Sequence, residues 1–140
     1  MAIKAGKFIL LSGAAYTAPL VNVTGGASVV GELVSAGVGG DDDAVVQCPA
    51  GSFDCVGVVE NSVASGFLVD VAIAGVADVL LKDSTGANKG YLVQVSDTAG
   101  RAISTLSGVP NANEVLGRVG YALEDVVCGA DQTVRTILKL

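Results

Sequence analysis

The sequence predicts an all-β domain, and three observations support this prediction. Val occurs 24 times, against 13 Leu and 5 Ile, and its branched Cβ suits a pleated strand better than a helix. Gly, Asp, Asn and Ser recur at roughly the 8 to 12 residue spacing of turns in small β domains, and helical periodicity is nearly absent. Because 140 residues is the size of one domain, we expect a single β domain over residues 26–140 after an extended N-terminal arm of residues 1–25.

Strands are predicted where Val-rich segments lie between turn residues. In chain order these are segments 7–11, 20–23, 28–34, 44–48, 55–60, 67–72, 76–81, 91–96, 101–105, 115–122 and 133–139. Clusters of Gly, Asp, Asn, Ser and Pro predict loops at residues 37–43, 83–90, 97–100 and 109–113. A helical turn is expected only at 114–116 or 121–126.

Alternation of apolar and polar residues predicts which strand faces are buried. Val134, Thr136 and Leu138 share one face of the last strand, so this face should be buried and the opposite face mostly wet. Segment 67–72 alternates less clearly, which predicts that both of its faces are partly covered. The step at Gly75 that follows fits either a tight hairpin or a bend within one long strand.

The composition excludes most catalytic chemistry. The chain has no His, so it offers no imidazole acid or base, no Ser-His or Cys-His pair and no imidazole metal ligand. The only carboxylate cluster is Asp41, Asp42 and Asp43. Because neighbouring residues of an extended chain point to opposite sides and calcium-loop spacing is absent, we interpret it as a solvated loop tip. We predict no catalytic, cofactor-binding or metal-binding residue, and we do not expect an enzyme.

Charge is unevenly distributed along the chain, whose formal net charge is -6. Residues 8–81 hold eight Asp or Glu and no Lys or Arg, whereas residues 82–140 hold six acids and six bases. Lys4 and Lys7 make the first seven residues basic. Because nucleic acids and anionic membranes attract Lys and Arg, neither is an expected partner of so acidic a chain. No apolar stretch is long enough to predict a transmembrane segment.

The three cysteines, Cys48, Cys55 and Cys128, form an odd set without CxxC spacing, so no zinc or thioredoxin-like site is predicted. Cys48 and Cys55 flank the turn-rich segment 49–54, and a disulfide that closes this segment is one possibility. The alternative, which we favour, is a set of reduced and partly buried thiols in a protein made in the cytoplasm. The sequence leaves both open.

A series of Val- and Gly-rich segments runs in order along the chain from residue 27. The segments are VGVV at 56–59, VDVAIAGVADV at 69–79, GYLV at 90–93, DTAGR at 97–101, VLGRVGYALE at 115–124 and the last strand at 134–138. In this order and spacing, over roughly two thirds of the chain, they resemble the head decoration, or capsid cement, proteins of tailed bacteriophages. Two departures from that pattern are Gly-Tyr at 90–91 in place of Gly-Asp and the extra residues 118–120.

The resemblance implies both a fold and a role. It implies a small β-sandwich or β-barrel domain of the β-tulip type, made in the bacterial host cytoplasm and carried on the outer surface of the virion capsid. It further implies homotrimers at threefold positions that clamp neighbouring copies of the major capsid protein and stabilise the expanded shell. It carries over no catalytic residue and no cofactor.

The N-terminal arm is the expected partner-binding segment. Its apolar residues, together with main-chain hydrogen bonds, suit the addition of a strand to an exposed edge of a neighbouring subunit. The residues predicted to bind the capsid or a neighbouring copy are Ile3, Phe8, Ile9, Leu10 and Leu11.

Two other classes of function compete with the capsid role. A surface-exposed β-sandwich that binds ligands or acts as an adhesin would present clustered aromatic residues, and the six aromatic residues of this chain are scattered. An enzyme would need a mechanism based on carboxylates alone, and the sequence locates no such pair.

Overall fold

The structure is a computed structural model that describes residues 15–37, 42–105 and 111–140. It confirms the predicted all-β class. The described part of the chain forms eleven strands and one short helix. In chain order they are β1 (Ala15–Asn22), β2 (Leu33–Ala36), β3 (Ala44–Gln47), β4 (Cys55–Val59), β5 (Leu68–Leu80), β6 (Thr85–Ala87), β7 (Leu92–Val95), β8 (Ala102–Ser104), α1 (Ala112–Leu116), β9 (Arg118–Ala122), β10 (Val126–Gly129) and β11 (Thr133–Leu138).

Five strands form a closed ring that we call the first barrel. Neighbouring strands follow the order β1, β3, β2, β4 and β5, and β1 pairs with β5 to close the ring. All pairs are antiparallel except β1 with β3, where Val21 lies opposite Ala44. Every strand contributes to the apolar interior, which contains Leu20, Val34, Val45, Val59, Val69 and Val71. The barrel form of the predicted fold is therefore the one observed.

The second half of β5 belongs to another layer, which we call the second sheet. Its strands follow the order β5, β11, β9, β7 and β8 and are antiparallel. Leu81, just after β5, forms a parallel bridge with Ala102 of β8, so the last strand of this sheet returns to its first. Strands β6 and β10 pair separately as a two-stranded antiparallel sheet.

A larger apolar core lies where the second sheet packs against the first barrel. Leu33, Val58 and Ala72 belong to this core together with residues of β7, β9 and β11, whereas the residues next to them in sequence belong to the barrel interior. Strands β2, β4 and β5 are therefore buried on both faces. This confirms the coverage predicted for segment 67–72, in which Val71 and Ala72 are both fully buried.

Strand β5 is one bent strand and not two strands joined by a hairpin. Its first half pairs with β1 and β4, and its second half pairs with β11. Gly75, at the bend, has a φ of 89°, a conformation that costs glycine little because it lacks a Cβ. The pairing of β1 with β5 skips Ile73, a β-bulge of the kind that bends strands. The structure thus selects the second of the two predicted alternatives.

Several predicted element boundaries are wrong. Segment 28–34 is mostly loop, because Gly31 turns the chain with a φ of 88° and β2 begins only at Leu33. Strand β6 lies inside the predicted loop 83–90, and the sequence did not predict β10.

Segment 115–122 is not one strand, because its first residues belong to α1. Asn111 caps this helix: its side chain accepts a hydrogen bond from the Glu114 backbone at 3.0 Å, and Glu114 accepts one from the Asn111 backbone at 2.7 Å. The helical turn expected at 114–116 is confirmed.

The last strand agrees with its predicted pattern, since Val134, Thr136 and Leu138 are buried and the residues between them are exposed. The division into an arm of residues 1–25 and a domain of residues 26–140 stays a prediction. Residues 15–22 of that arm form β1 of the first barrel. The strand predicted at 7–11 lies outside the described residues.

Candidate interaction surface

The five residues predicted to bind a neighbour, Ile3, Phe8, Ile9, Leu10 and Leu11, lie outside the described residues. The candidate surface is therefore defined by other side chains. Nothing in the described ranges brings three or more acidic or cysteine side chains together in a way that could hold a metal ion. Asp42 and Asp43 lie in an exposed turn before β3, and Asp41 is outside the described residues.

One group of exposed apolar side chains lies around α1, and we call it the Phe53 patch. Phe53, in the loop between β3 and β4, is 61% exposed, and its ring lies beside Gly117 at the end of the helix. Val115 and Leu116 of α1 are also exposed, Leu116 by 61%. No residue of α1 is buried. A helix of five residues without a buried face contributes little to the core, so these apolar residues are available to a partner.

A second group lies along the paired strands β1 and β5, and we call it the β1–β5 face. Tyr16, Leu68 and Ile73 are 54%, 62% and 46% exposed, and Phe67, just before β5, is 66% exposed. Tyr16 lies opposite Ala74 in the ladder, next to the bulged Ile73. The sequence did not predict either surface. Adjacent Phe67 and Leu68 were one available signal, because consecutive residues of a strand point to opposite faces and both are buried only where both faces are covered.

The described residues 15–37 and 42–81, which form the first barrel and the rest of β5, include acidic residues and no Lys or Arg. Glu60 lies near Asp70 and Asp78, and its backbone amide donates a hydrogen bond of 2.8 Å to the Asp70 carbonyl. Partial burial raises the pKa of Glu60, and the neighbouring charges of Asp78 and Asp70 raise it further. A partner that covers this side of the barrel is therefore favoured if it carries basic groups.

The second sheet and its turns are closer to electrical balance, and two of the bases there form ion pairs. Lys82 pairs with Asp97 at 2.6 Å, and hydrogen bonding to Lys82 lowers the pKa of Asp97. Arg101 contacts Asp83 at 2.8 Å and Asp131 at 2.9 Å. These contacts join the turn after β5, the start of β8 and the turn before β11.

The three cysteines have different environments. Cys48 is buried, Cys55 is half-buried and Cys128 is exposed, and all three are free thiols. The Cys48 thiol donates to the Pro49 carbonyl at 3.7 Å, and the Cys55 thiol donates to the Gly57 carbonyl at 3.5 Å. The interaction between the two thiols is the largest cause of both pKa shifts: it lowers the pKa of Cys48 to about 7 and, together with burial, raises the pKa of Cys55. The predicted preference for reduced thiols agrees with the structure.

An open groove of about 430 Å³ is lined by the paired strands β6 and β10 and by the end of β8. Its lining is mixed, with Asn88, Ser104 and Asp125 beside Val127 and Cys128. Clustered aromatic residues do not line it, so it lacks the feature expected of an adhesin or small-ligand site. None of the described helices has the length and apolar character that a membrane span requires.

Comparisons with known proteins bear on the fold. No family model matches the chain, and no curated protein matches it. Among solved structures, the chain is similar to the N base of head fiber gp8.5 of bacteriophage phi29. The TM-score is 0.61 at 15% sequence identity, over 90% of this chain and 95% of that chain. This likeness shows a shared fold over nearly the full length of both chains, and the resemblance to the head decoration family stays a prediction.

Proposed function

We propose that this chain is a structural, non-enzymatic protein of a tailed-phage head. It sits on the outer surface of the capsid, binds the major capsid protein and stabilises the expanded shell as a homotrimer. The observation that carries the proposal is the fold shared with a phage head fiber base over 90% of the chain. The order of Val- and Gly-rich segments, which resembles the head decoration proteins, points to the same class independently.

The exposed apolar side chains support the proposal that the protein functions while bound to other proteins. The Phe53 patch and the β1–β5 face together expose seven large apolar residues. Full burial of a large apolar side chain contributes about 1.5–3 kcal/mol, and covering one of these half-exposed side chains contributes roughly half of that. A contact of this kind, repeated at every site of a shell, adds a large total stabilisation even when each copy binds modestly.

The N-terminal segment is proposed as an additional anchor. Ile3, Phe8, Ile9, Leu10 and Leu11 combine apolar side chains with the two bases Lys4 and Lys7. The two bases suit the acidic first barrel of a neighbouring copy. The apolar residues suit addition of a strand to an exposed strand edge of the shell.

Binding to expanded heads tests the proposal. Heads of the phage that encodes this chain, prepared without it, are mixed with the purified protein and sedimented, and bound copies per head are counted. We expect saturable binding in multiples of three and a higher melting temperature of the loaded heads. Heads that bind no protein at micromolar concentration would refute the capsid role.

Surface variants show which face makes the contact. Three changes are compared. They are the double variant Phe53→Ser and Leu116→Ser, the double variant Tyr16→Ser and Leu68→Ser, and deletion of residues 1–11. The matched control is Val127→Ser, which replaces an apolar residue that is 81% exposed on β10. At least one of the three changes should weaken head binding tenfold or more, because each removes apolar contact worth more than 1.4 kcal/mol.

A second candidate function is the attachment base of a longer fiber, and the likeness to a head fiber N base favours it specifically. The two functions differ in what the particle displays. Electron microscopy of negatively stained heads would show compact knobs for a decoration protein and projecting fibers for a fiber base.

A further inference from the structure

Two loops close one end of the first barrel, residues 23–32 between β1 and β2 and residues 60–67 between β4 and β5. We call this the capped end. Two buried polar side chains join the loops there. The Asn22 side-chain amide donates a hydrogen bond of 3.0 Å to the Val63 carbonyl, and the Ser28 hydroxyl accepts one of 2.8 Å from the Val63 amide. Because these bonds are shielded from water, they hold the two loops in one arrangement.

The side chains that the capped end presents to solvent are mostly apolar. Asn22 and Ser28 point inwards, whereas the large apolar residues of the loops point outwards. Those more than a third exposed are Val23, Val29, Val30, Phe67 and the adjoining Leu68, the last two of which also belong to the β1–β5 face. Loops usually expose their polar residues and not their apolar ones. The inverted arrangement indicates a surface that another molecule covers.

The charges close to the capped end are negative. Glu60, in the second loop, lies near the carboxylates of Asp70 and Asp78. Residues 15–37 and 42–81, which include both loops, contain no Lys or Arg to balance them. The segment that covers this end should therefore combine large apolar side chains with positive charge.

The chain itself contains a segment of this composition. Segment 3–11 holds Lys4 and Lys7 and no acidic residue, and five of its residues are large and apolar, namely Ile3, Phe8, Ile9, Leu10 and Leu11. It lies outside the described residues. The other residues outside the described ranges, 38–41 and 106–110, contain no Lys or Arg. Segment 3–11 is therefore the part of the chain outside the structure whose charge complements the capped end.

The position of β1 shows which copy the segment can reach. Asn22 ends β1 at the capped end, and Ala15 begins it seven residues earlier, about 23 Å away at roughly 3.3 Å per residue. Leu11 is four residues before Ala15 and can lie at most about 14 Å from it. Even Phe8 would span the distance only as a straight chain. The apolar residues nearest to β1 therefore cannot cover the capped end of their own barrel, whereas a neighbouring copy imposes no such limit.

We propose that segment 3–11 of one copy binds the capped end of a neighbouring copy. Its apolar side chains cover Val30 and Phe67, and its lysines lie near Glu60 and Asp70. Because the two contact surfaces differ, each copy gives a segment to one neighbour and receives one from the other, and three copies can close a ring. The inference rests on the proposed function for the number of copies, and it assigns the contact that holds the homotrimer together.

Analytical ultracentrifugation of the purified protein, without heads, tests the assembly. We expect the mass of three chains for the full chain and of one chain after deletion of residues 2–11. The double variant Val30→Ser and Phe67→Ser should also sediment as one chain, whereas the control Val127→Ser, on β10, should keep the mass of three. A single-chain mass for the full protein at micromolar concentration overturns the proposal. An unchanged assembly after the deletion overturns it equally.

A synthetic peptide of residues 1–14 tests the contact itself. The peptide carries a fluorophore and is titrated into the protein that lacks residues 2–11. We expect saturable binding that weakens as salt is added, because the lysines face carboxylates. Adding Val30→Ser and Phe67→Ser to that protein should weaken binding tenfold or more, whereas adding Val127→Ser should not. Absence of binding, or equal binding to both variants, overturns the proposal.

Head binding separates this inference from the proposed function. A protein that sediments as one chain and still binds heads overturns the inference alone. A homotrimer that binds no heads overturns the capsid role and leaves the contact between copies in place.

Discussion

The Gln47 side-chain amide donates a hydrogen bond of 2.8 Å to one carboxylate oxygen of Glu32, which is only 6% exposed. The other oxygen, Oε1, is buried and has no hydrogen-bond partner among the described residues. Burial raises the pKa of Glu32, and hydrogen bonding with Gln47 and Val29 and the positive charge of Arg101 offset only part of this effect. A buried carboxylate with one unsatisfied oxygen costs stability when it is ionised.

This arrangement predicts a pH dependence of folding. The folded protein holds the Glu32 proton more tightly than the unfolded chain does, whose carboxyl has the ordinary pKa of 4.5. The contribution of Glu32 to stability is therefore fully present below pH 4.5, and it is lost as the pH rises through the raised pKa of the folded state. Glu32→Gln removes this dependence and should raise the free energy of unfolding at about pH 8 by roughly 1–2 kcal/mol.

Urea unfolding of both proteins between about pH 4 and pH 8 checks this prediction. Asp42→Asn, in an exposed turn, is the control for loss of one negative charge. If Glu32→Gln is less stable than the parent at about pH 8, the account of Glu32 is wrong.

Close approach of two strands predicts a strict requirement for glycine at position 120. A Cβ on Gly120 would lie 2.0 Å from the carbonyl oxygen of Ile137 in the neighbouring β11, so the β9 and β11 backbones would have to separate. Gly120→Ala should lower the free energy of unfolding by about 2–4 kcal/mol. Gly26→Ala is the matched control, since nothing lies within 4 Å of a Cβ there. Thermal unfolding that shows equal, small effects for both would contradict the observed strand packing.

Arg101 is expected to join three turns of the second sheet. Besides Asp83 and Asp131, its guanidinium donates to the Leu81 carbonyl at 3.1 Å. Arg101→Met should reduce the free energy of unfolding by about 1–2 kcal/mol, more than an isolated surface pair contributes. Arg118→Met is the control, because among the described residues the Arg118 side chain makes one hydrogen bond, to the Lys139 carbonyl. The loss should shrink at high salt, and a loss equal to that of Arg118→Met would show that the three contacts add nothing.

Much of the fold follows from the sequence alone. The alternation in β11 predicted its buried face, and the frequency of Val predicted strands at most of the places where they occur. The boundaries of strands and of the helix were predicted wrongly where one or two residues determine them. Gly31 delays β2 through a positive φ, and the capping box of Asn111 and Glu114 creates a helix too short to show periodicity.

The candidate surfaces could not be predicted in the same way. Whether Phe53 or Tyr16 is buried depends on which strands cover it, and that depends on long-range pairings such as β1 with β5. The residues that the sequence did identify, from Ile3 to Leu11, lie outside the described part of the chain.

Cryo-EM of mature heads of the phage that encodes this chain is the decisive experiment for the proposed capsid role. We expect density that fits the first barrel and the second sheet on the outer surface of the shell, in groups of three around threefold positions and in contact with the major capsid protein. An outer surface without such density, in particles whose proteins include this chain, would contradict it.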